Sequence, residues 1–210
     1  MRARKAGLMQ TLLPHLQIVL PTKSPLDRYS LFSSIPKALW LEIGFGGGEH
    51  LAAQAQKNPD VGFIGAEPFL NGTASLLAHI DAGKLSNIRI FPNDARPLLD
   101  ALPEASIDRC FVLFADPWPK ARHAERRFIG PENVPRLSRV LKAKAELCLA
   151  TDDAKLGPWM IEQMNACDDF AVDRKPSLHP PEDWVSTRYE QKAIAAGRAP
   201  IYFSYRRKAR

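Results

Sequence analysis

Five carboxylates lie at or just after apolar runs: Glu42 in LWLEI, Glu67 after VGFIGA, Asp94 after IRIF, Asp116 after IDRCFVLFA and Asp152 after AELCLAT. Taken singly, each reads as a helix cap or turn former. A series reads differently, because parallel strands bring their carboxyl ends to one rim, where ligands bind. Directly after Asp116 comes Pro117-Trp118-Pro119, followed by Lys120, Arg122, His123, Arg126 and Arg127. The prolines stiffen the strand exit and hold the Asp116 carboxylate at the rim. The cations suit phosphate oxygens, and Trp118 is equally suited to stack on a base or to cover the core. His123 reads as a phosphate or loop contact rather than a catalytic base.

The stretch LEIGFGGGEH supplies the loop these acids would surround. Gly44, Gly46 and Gly48 tolerate positive φ and let a backbone approach a ligand closely. A helix starting at Glu49 adds free N–H groups and a partial positive charge. A dinucleotide fingerprint is G-x-G-x-x-G, and here Glu49 stands where its third glycine belongs. That acid, with Glu42 before the turn, disfavours a pyrophosphate and favours an amine or sulfonium. Glu67 is placed to accept from two ribose hydroxyls, and Asp94 from an adenine amino group. Ribose, adenine and positive charge together describe S-adenosylmethionine better than NAD.

The elements that position these groups alternate. Strands are expected at Leu39 to Ile43, Val61 to Ala66, Ile88 to Phe91, Ile107 to Ala115 and Ala145 to Thr151, with two more at Phe170 to Asp173 and Ile201 to Tyr205. Helices are expected from Glu49, from Phe69 to Ala82 with Gly83 as cap, after Asn93-Asp94-Ala95-Arg96 as far as Leu102, and over Pro131 to Leu141, Ala154 to Asn165 and Thr187 to Ala196. Buried strands alternating with helices predict a parallel sheet covered on both faces. Residues 1 to 35 carry Pro14, Pro21 and Pro25 without sustained periodicity and read as an irregular N-terminal extension.

Composition narrows the class. The chain has 210 residues, 45% hydrophobic and 25% charged, an ordinary globular balance for one domain. No run approaches the length of a membrane span. The basic start, Met1-Arg2-Ala3-Arg4-Lys5, precedes a stretch broken by Gln10, Pro14, His15 and Gln17. That is a poor signal-peptide core, so a cytoplasmic protein is expected. Cys110, Cys148 and Cys167 lack zinc spacing and read as small hydrophobes, so no metal is expected. The net charge is +6, but residues 2–5, 120–127 and 206–210 together carry +10, leaving the rest at −4. Concentrated positive charge is the footprint of a polyanion partner such as nucleic acid.

These motifs together resemble the bacterial tRNA (guanine-N7)-methyltransferase family, of the class I S-adenosylmethionine-dependent type. LEIGFGGGEH, Gly65-Ala66-Glu67, Asn93-Asp94-Ala95, DPWPKARH-x-x-RR, Ala150-Thr151-Asp152 and TRYEQKAIAAGRAPIYF carry the resemblance, over about residues 39 to 203. The DPW-basic stretch and the T-x-x-E segment are its most specific parts. It implies a Rossmann-like α/β fold, a mostly parallel seven-stranded sheet with helices on both faces, with residues 36–210 as the methyltransferase domain. S-adenosylmethionine is the implied cofactor and tRNA the implied partner; monomer and homodimer both stay open. Glu42, Gly44, Gly46, Glu67, Asp94 and Asp116 would line the cofactor pocket, with Asp116 catalytic. Lys120, Asp152, Thr187, Arg188, Tyr189 and Glu190 would hold the substrate, and Arg122, His123, Arg126 and Arg127 are candidates for the RNA backbone. The chain departs from the family pattern at Ala115, Glu125, Asp153, Arg188 and Tyr189. None of these removes a functional carboxylate.

Guanine N7 has an exposed lone pair and no proton to lose, so a base on the nucleophile is unnecessary. Asp116 and Asp152, with Glu190 as a further candidate, would orient the guanine by accepting from N1–H and the amino group. Two rival readings remain. Methylation of a small molecule or protein leaves the basic loop without a purpose, and a non-catalytic RNA-binding module leaves the rim carboxylates without one.

Overall fold

The computed structural model describes residues 3–22, 25–28 and 30–209. Arg2 and Arg210, counted above among the basic termini, lie outside the described residues. Seven strands form one sheet: β1 (Ala38–Ile43), β2 (Val61–Ala66), β3 (Ile88–Phe91), β4 (Ile107–Leu113), β5 (Leu141–Thr151), β6 (Phe170–Ser177) and β7 (Ile201–Arg207), in the order β3-β2-β1-β4-β5-β7-β6. The first five pair in parallel, and β7 enters antiparallel between β5 and β6. The order reverses between β1 and β4, which opens a crevice beyond their carboxyl ends.

Strand alternation decides what each face buries. Leu39, Leu41 and Ile43 face the layer formed by α5 (Ala95–Ala101), α6 (Asn133–Val140) and α7 (Leu156–Asn165), where Leu98, Leu137 and Met160 meet them in one core. The other face packs on α3 (Glu49–Lys57) and α4 (Leu70–Gly83), through Phe63, Ile88 and Ile90 against Leu51, Leu76 and Leu77. Beyond β4 that face is covered by the loop before α8 (Arg188–Ala195), whose Trp184 packs with Phe111, Leu113, Cys148 and Tyr202. Each such side chain contributes about 1.5–3 kcal/mol when fully buried.

Several boundaries differ from the sequence expectation for local reasons. β4 stops at Leu113 because Phe114 takes φ +55. α4 runs through Gly83, and Lys84 takes the left-handed capping conformation at φ +49. Pro131 lies in the turn ahead of α6 rather than in its first turn. α7 begins at Leu156, since Asp153 Oδ1 accepts from the Lys155 and Leu156 amides at 2.9 and 2.8 Å.

Where an irregular extension was expected, α1 (Ala3–Thr11) and α2 (Leu13–Leu16) form. α1 packs on α4, and Arg4 Nη2 pairs with Asp81 at 2.7 Å. The Ile18 amide donates to Ile90 O at 2.8 Å and the Leu26 amide to Ala101 O at 2.7 Å, tying this stretch to β3 and α5. Leu8, Met9, Leu12, Leu13 and Leu16 make the apolar stripe responsible, which Gly7 and Pro14 obscure in the sequence.

Candidate active site

The crevice at the switch point is a cavity of about 790 Å³, lined by Gly44, Gly46, Glu67, Asp94, Asp116 and Asp152 among others. A recess of about 760 Å³ adjoins it, sharing Gly46, Glu67, Asp116 and Tyr189 and adding Lys5 and Arg188. Gly44 and Gly46 hold φ +70 and +55. A Cβ on Gly44 would meet nothing within 4 Å, so that backbone has open space before it. On Gly46 a Cβ would come within 2.5 Å of the Tyr189 ring, so the first turn of α8 rests directly on the glycine loop.

Glu67 is buried at the end of β2 and braces the same loop. Its Oε2 accepts from the Gly46 amide at 2.8 Å and its Oε1 from the Phe69 amide at 2.9 Å. A carboxylate offers about four acceptor positions, so each oxygen keeps one lone pair for a ligand. Burial pushes its carboxyl up from the ordinary carboxylate range; the two amides pull it back, and nearby Asp116 pushes it up again. Asp94 caps α5, with Oδ1 accepting from the Arg96 amide at 2.8 Å and Oδ2 from Arg96 Nη1 at 2.5 Å. An open glycine turn, a buried carboxylate with free lone pairs and a second carboxylate on the same wall fit a methionine tail, a ribose and an adenine amino group.

Asp116 is exposed on the cavity wall. The loop behind it is held by Arg127, which is only 8% exposed and donates from Nε to Pro117 O at 3.1 Å and from Nη2 to Trp118 O at 3.3 Å. Its guanidinium lies over the Trp159 ring at 4.9 Å. Trp118 itself takes φ +42, a strained value for a bulky residue, which the clamp sustains. The following residues wind into a 3₁₀ turn (Ala121–Arg126). Arg126 reaches the cavity with its guanidinium 4.9 Å over Trp118, and His123 meets the same ring edge-on at 5.9 Å. Lys120 and Arg122 are exposed outside the cavity lining.

Three other residues read as site groups face elsewhere. Glu42 is 3% exposed, and its place in β1 turns it toward α3, where Oε2 sits 2.6 Å from His50 Nδ1. It lies off the cavity lining. Glu190 is buried too: Oε1 accepts from Tyr202 OH, while Oε2 accepts from Trp184 Nε1 at 2.9 Å and the Thr187 amide at 3.1 Å. Thr187 Oγ1 accepts from the Glu190 amide at 3.0 Å, closing a capping box. Thr187 and Glu190 therefore build the start of α8, while Arg188 and Tyr189 between them face the recess. Sequence reasoning missed Lys192 and Arg198, which also line the cavity. Their spacing from Thr187 along one helix and its exit turn was the available signal.

Comparisons agree with this architecture. A family profile described as "Putative methyltransferase" matches residues 36–202. The 16S rRNA methyltransferase KamB superposes with a TM-score of 0.66 at 13% identity, covering 89% of this chain and 95% of its own. A 16S rRNA (adenine(1408)-N(1))-methyltransferase solved with its cosubstrate S-adenosylmethionine gives 0.59 at 14%, covering 82% and 87%. Strand order, the antiparallel β7 and the rim cavity define the class I S-adenosylmethionine-dependent methyltransferase fold. Within that class, a tRNA (guanine-N(7)-)-methyltransferase of Paramagnetospirillum magneticum is 49% identical over all of this chain and 90% of its own length. One from Ruegeria pomeroyi is 48% identical over 89% and 79%. The chain belongs to the bacterial tRNA (guanine-N7)-methyltransferase family.

Proposed function

We propose that this protein transfers a methyl group from S-adenosylmethionine to N7 of a guanine in tRNA, the variable-loop guanine by family resemblance. The observation that carries the reading is that Glu67 and Asp94 share one cavity with Asp116 and Asp152, with Arg126 at its edge. Gly44, Gly46, Glu67 and Asp94 would hold the cofactor, which supplies a methyl group already bonded to a good leaving group.

The chain's own residues supply position. Asp116 and Asp152 orient the base, and well-oriented reactants gain about 7–11 kcal/mol at most. Their carboxylates also suit the positive charge that appears on the base as N7 is alkylated. Methylation at N7 acidifies the guanine N1–H, so a carboxylate accepting from it binds more tightly as reaction proceeds. Arg122, His123 and Arg126 hold the backbone of the RNA. Residues 36–210 would be the methyltransferase domain, and the described residues before 36 an extension of it. Among the described residues no helix is long and apolar enough to cross a membrane; a tRNA substrate supports a cytoplasmic enzyme.

Nucleoside analysis tests this directly. The protein is incubated with S-adenosylmethionine and bulk tRNA, which is then digested and resolved by mass spectrometry. 7-Methylguanosine must appear only when protein and cofactor are both present, and RNase mapping must place it in the variable loop. Labelling of protein or small molecules in a lysate, with none in tRNA, would overturn the proposal.

A further inference from the structure

Asp152 is not alone on the cavity wall. Arg198 Nε donates to its Oδ2 at 2.5 Å, and both side chains line the cavity that holds Asp116. Gly197, at φ +73, turns the chain after α8, and the antiparallel register sets Ile201 opposite Thr151. That return delivers Arg198 to the rim where β5 ends. Among the described residues no other group accepts from its guanidinium. Beyond their mutual bond, the pair keeps the Asp152 Oδ1 acceptor and four guanidinium N–H donors.

A carboxylate beside a guanidinium complements one particular base edge. The Watson–Crick edge of guanine sets two donors, N1–H and the amino group, next to one acceptor, O6. Adenine reverses this order: its N1 lone pair would face the carboxylate, and its amino group would face the guanidinium. Both contacts would repel. Reading that edge leaves N7, on the opposite side of the ring, open to the methyl donor.

We propose that Arg198 is a specificity-determining residue: fixed by Asp152, it donates to guanine O6 while Asp152 accepts from N1–H and the amino group. This rests on the functional reading above, in which guanine is the methylated base and Asp152 faces it. The two partners divide the work. Asp152 meets the charge that grows on the base, whereas a cation at O6 gains nothing as the ring turns positive. Arg198 therefore serves recognition, and its loss should appear in KM rather than in kcat.

The test is steady-state methylation of tRNA transcripts carrying guanosine, inosine or 6-thioguanosine at the modified position. Inosine lacks the amino group that Asp152 reads; 6-thioguanosine replaces O6 by a poor acceptor and keeps both donors. Wild type should prefer guanosine to each analogue. Arg198→Ala should raise KM for the guanosine transcript about 10- to 100-fold, as loss of a charged hydrogen bond does, with kcat within about twofold. Its preference over 6-thioguanosine should vanish while its preference over inosine persists, and Arg198→Lys should recover part of the loss. Arg198 is half exposed at the rim, and an ion pair open to solvent on that side contributes little to stability, so the variants should melt close to wild type. An Arg198→Ala enzyme that still rejects 6-thioguanosine, or that falls equally on all three transcripts, would overturn the inference. Absence of 7-methylguanosine with wild type would instead overturn the functional reading itself, before any variant is compared.

Discussion

Arg127 points inward: its Nε meets the Pro117 carbonyl at 3.1 Å, and the guanidinium rests on Trp159. A cation that sequence alone counted among the RNA contacts instead clamps the loop that carries Asp116. Arg126, one residue earlier, lies on the open side over Trp118.

Neighbouring arginines should therefore fail in different ways. Arg126→Ala should weaken tRNA binding and lower the slope of log affinity against log salt by about 0.7–0.9 per lost phosphate contact. Arg127→Ala should leave the slope unchanged and lower kcat, because the strained Trp118 backbone loses its tether. Filter binding across a salt series, beside single-turnover rates, separates the two. Equal slopes for both variants would return Arg127 to the RNA surface.

Asp116→Ala should abolish methyl transfer while leaving the fold intact. The residue is exposed and caps no helix. Surface changes of this kind move stability by about 0.5 kcal/mol or less. Turnover near wild type in a guanine-N7 assay, with an unchanged melting curve, would remove Asp116 from the mechanism.

Cofactor affinity should depend on pH through Glu67. Its carboxyl titrates above the ordinary value, chiefly because it is buried. In the proposed cofactor site the ionised form would accept from two ribose hydroxyls, so S-adenosylmethionine should bind more tightly as pH rises through that elevated pKa. Folding responds with the opposite sign. A carboxyl that holds its proton more tightly when folded loses stability as pH rises through the same window. Calorimetric titration at pH 5 and pH 7.5 checks the first effect, and Glu67→Gln should flatten it while weakening binding about 10-fold or more.

The Glu42–His50 pair should matter to stability before it matters to binding. Both side chains are almost wholly buried, and the His50 ring is enclosed by Phe111 at 4.8 Å and Trp184 at 5.6 Å. Removing His50 leaves the Glu42 carboxyl buried without its hydrogen-bond partner, which costs about 1–3 kcal/mol. His50→Ala should shift the urea midpoint strongly, and cofactor affinity should stay within a few-fold at temperatures where the variant is folded. A large loss of affinity with an unmoved midpoint would restore Glu42 to the cofactor site.

Much of this was readable from residue order. The five parallel strands, the glycine turn and the acids at strand ends follow from apolar runs broken by glycine and proline, and a parallel sheet has one place to put its carboxyl ends. Direction was harder. Glu42 and Ile43 are adjacent, yet alternation sends one toward α3 and the other to the cavity. Only the sheet order says which face is which. Glu190 was legible as the end of a T-x-x-E motif, but its use as an internal acceptor depends on Trp184 and on Tyr202, twelve residues ahead in the chain. The pairing of Asp152 with Arg198 spans 46 residues and a strand reversal, which no local pattern encodes.

The reversed strand has an effect at its far end as well. Because β7 runs against its neighbours, it begins beside the cavity and finishes at the opposite edge of the sheet, with Arg206 across from Glu146. The basic cluster there is already committed: Arg206 to Asp173 at 2.7 Å, and Arg207 to the Ser138 carbonyl at 3.0 Å. A surface linkage, fluorophore or purification handle fused beyond Lys208 would hang from the side of the molecule remote from the chemistry. Immobilised that way, the enzyme would present its open crevice to solution, ready for an incoming RNA.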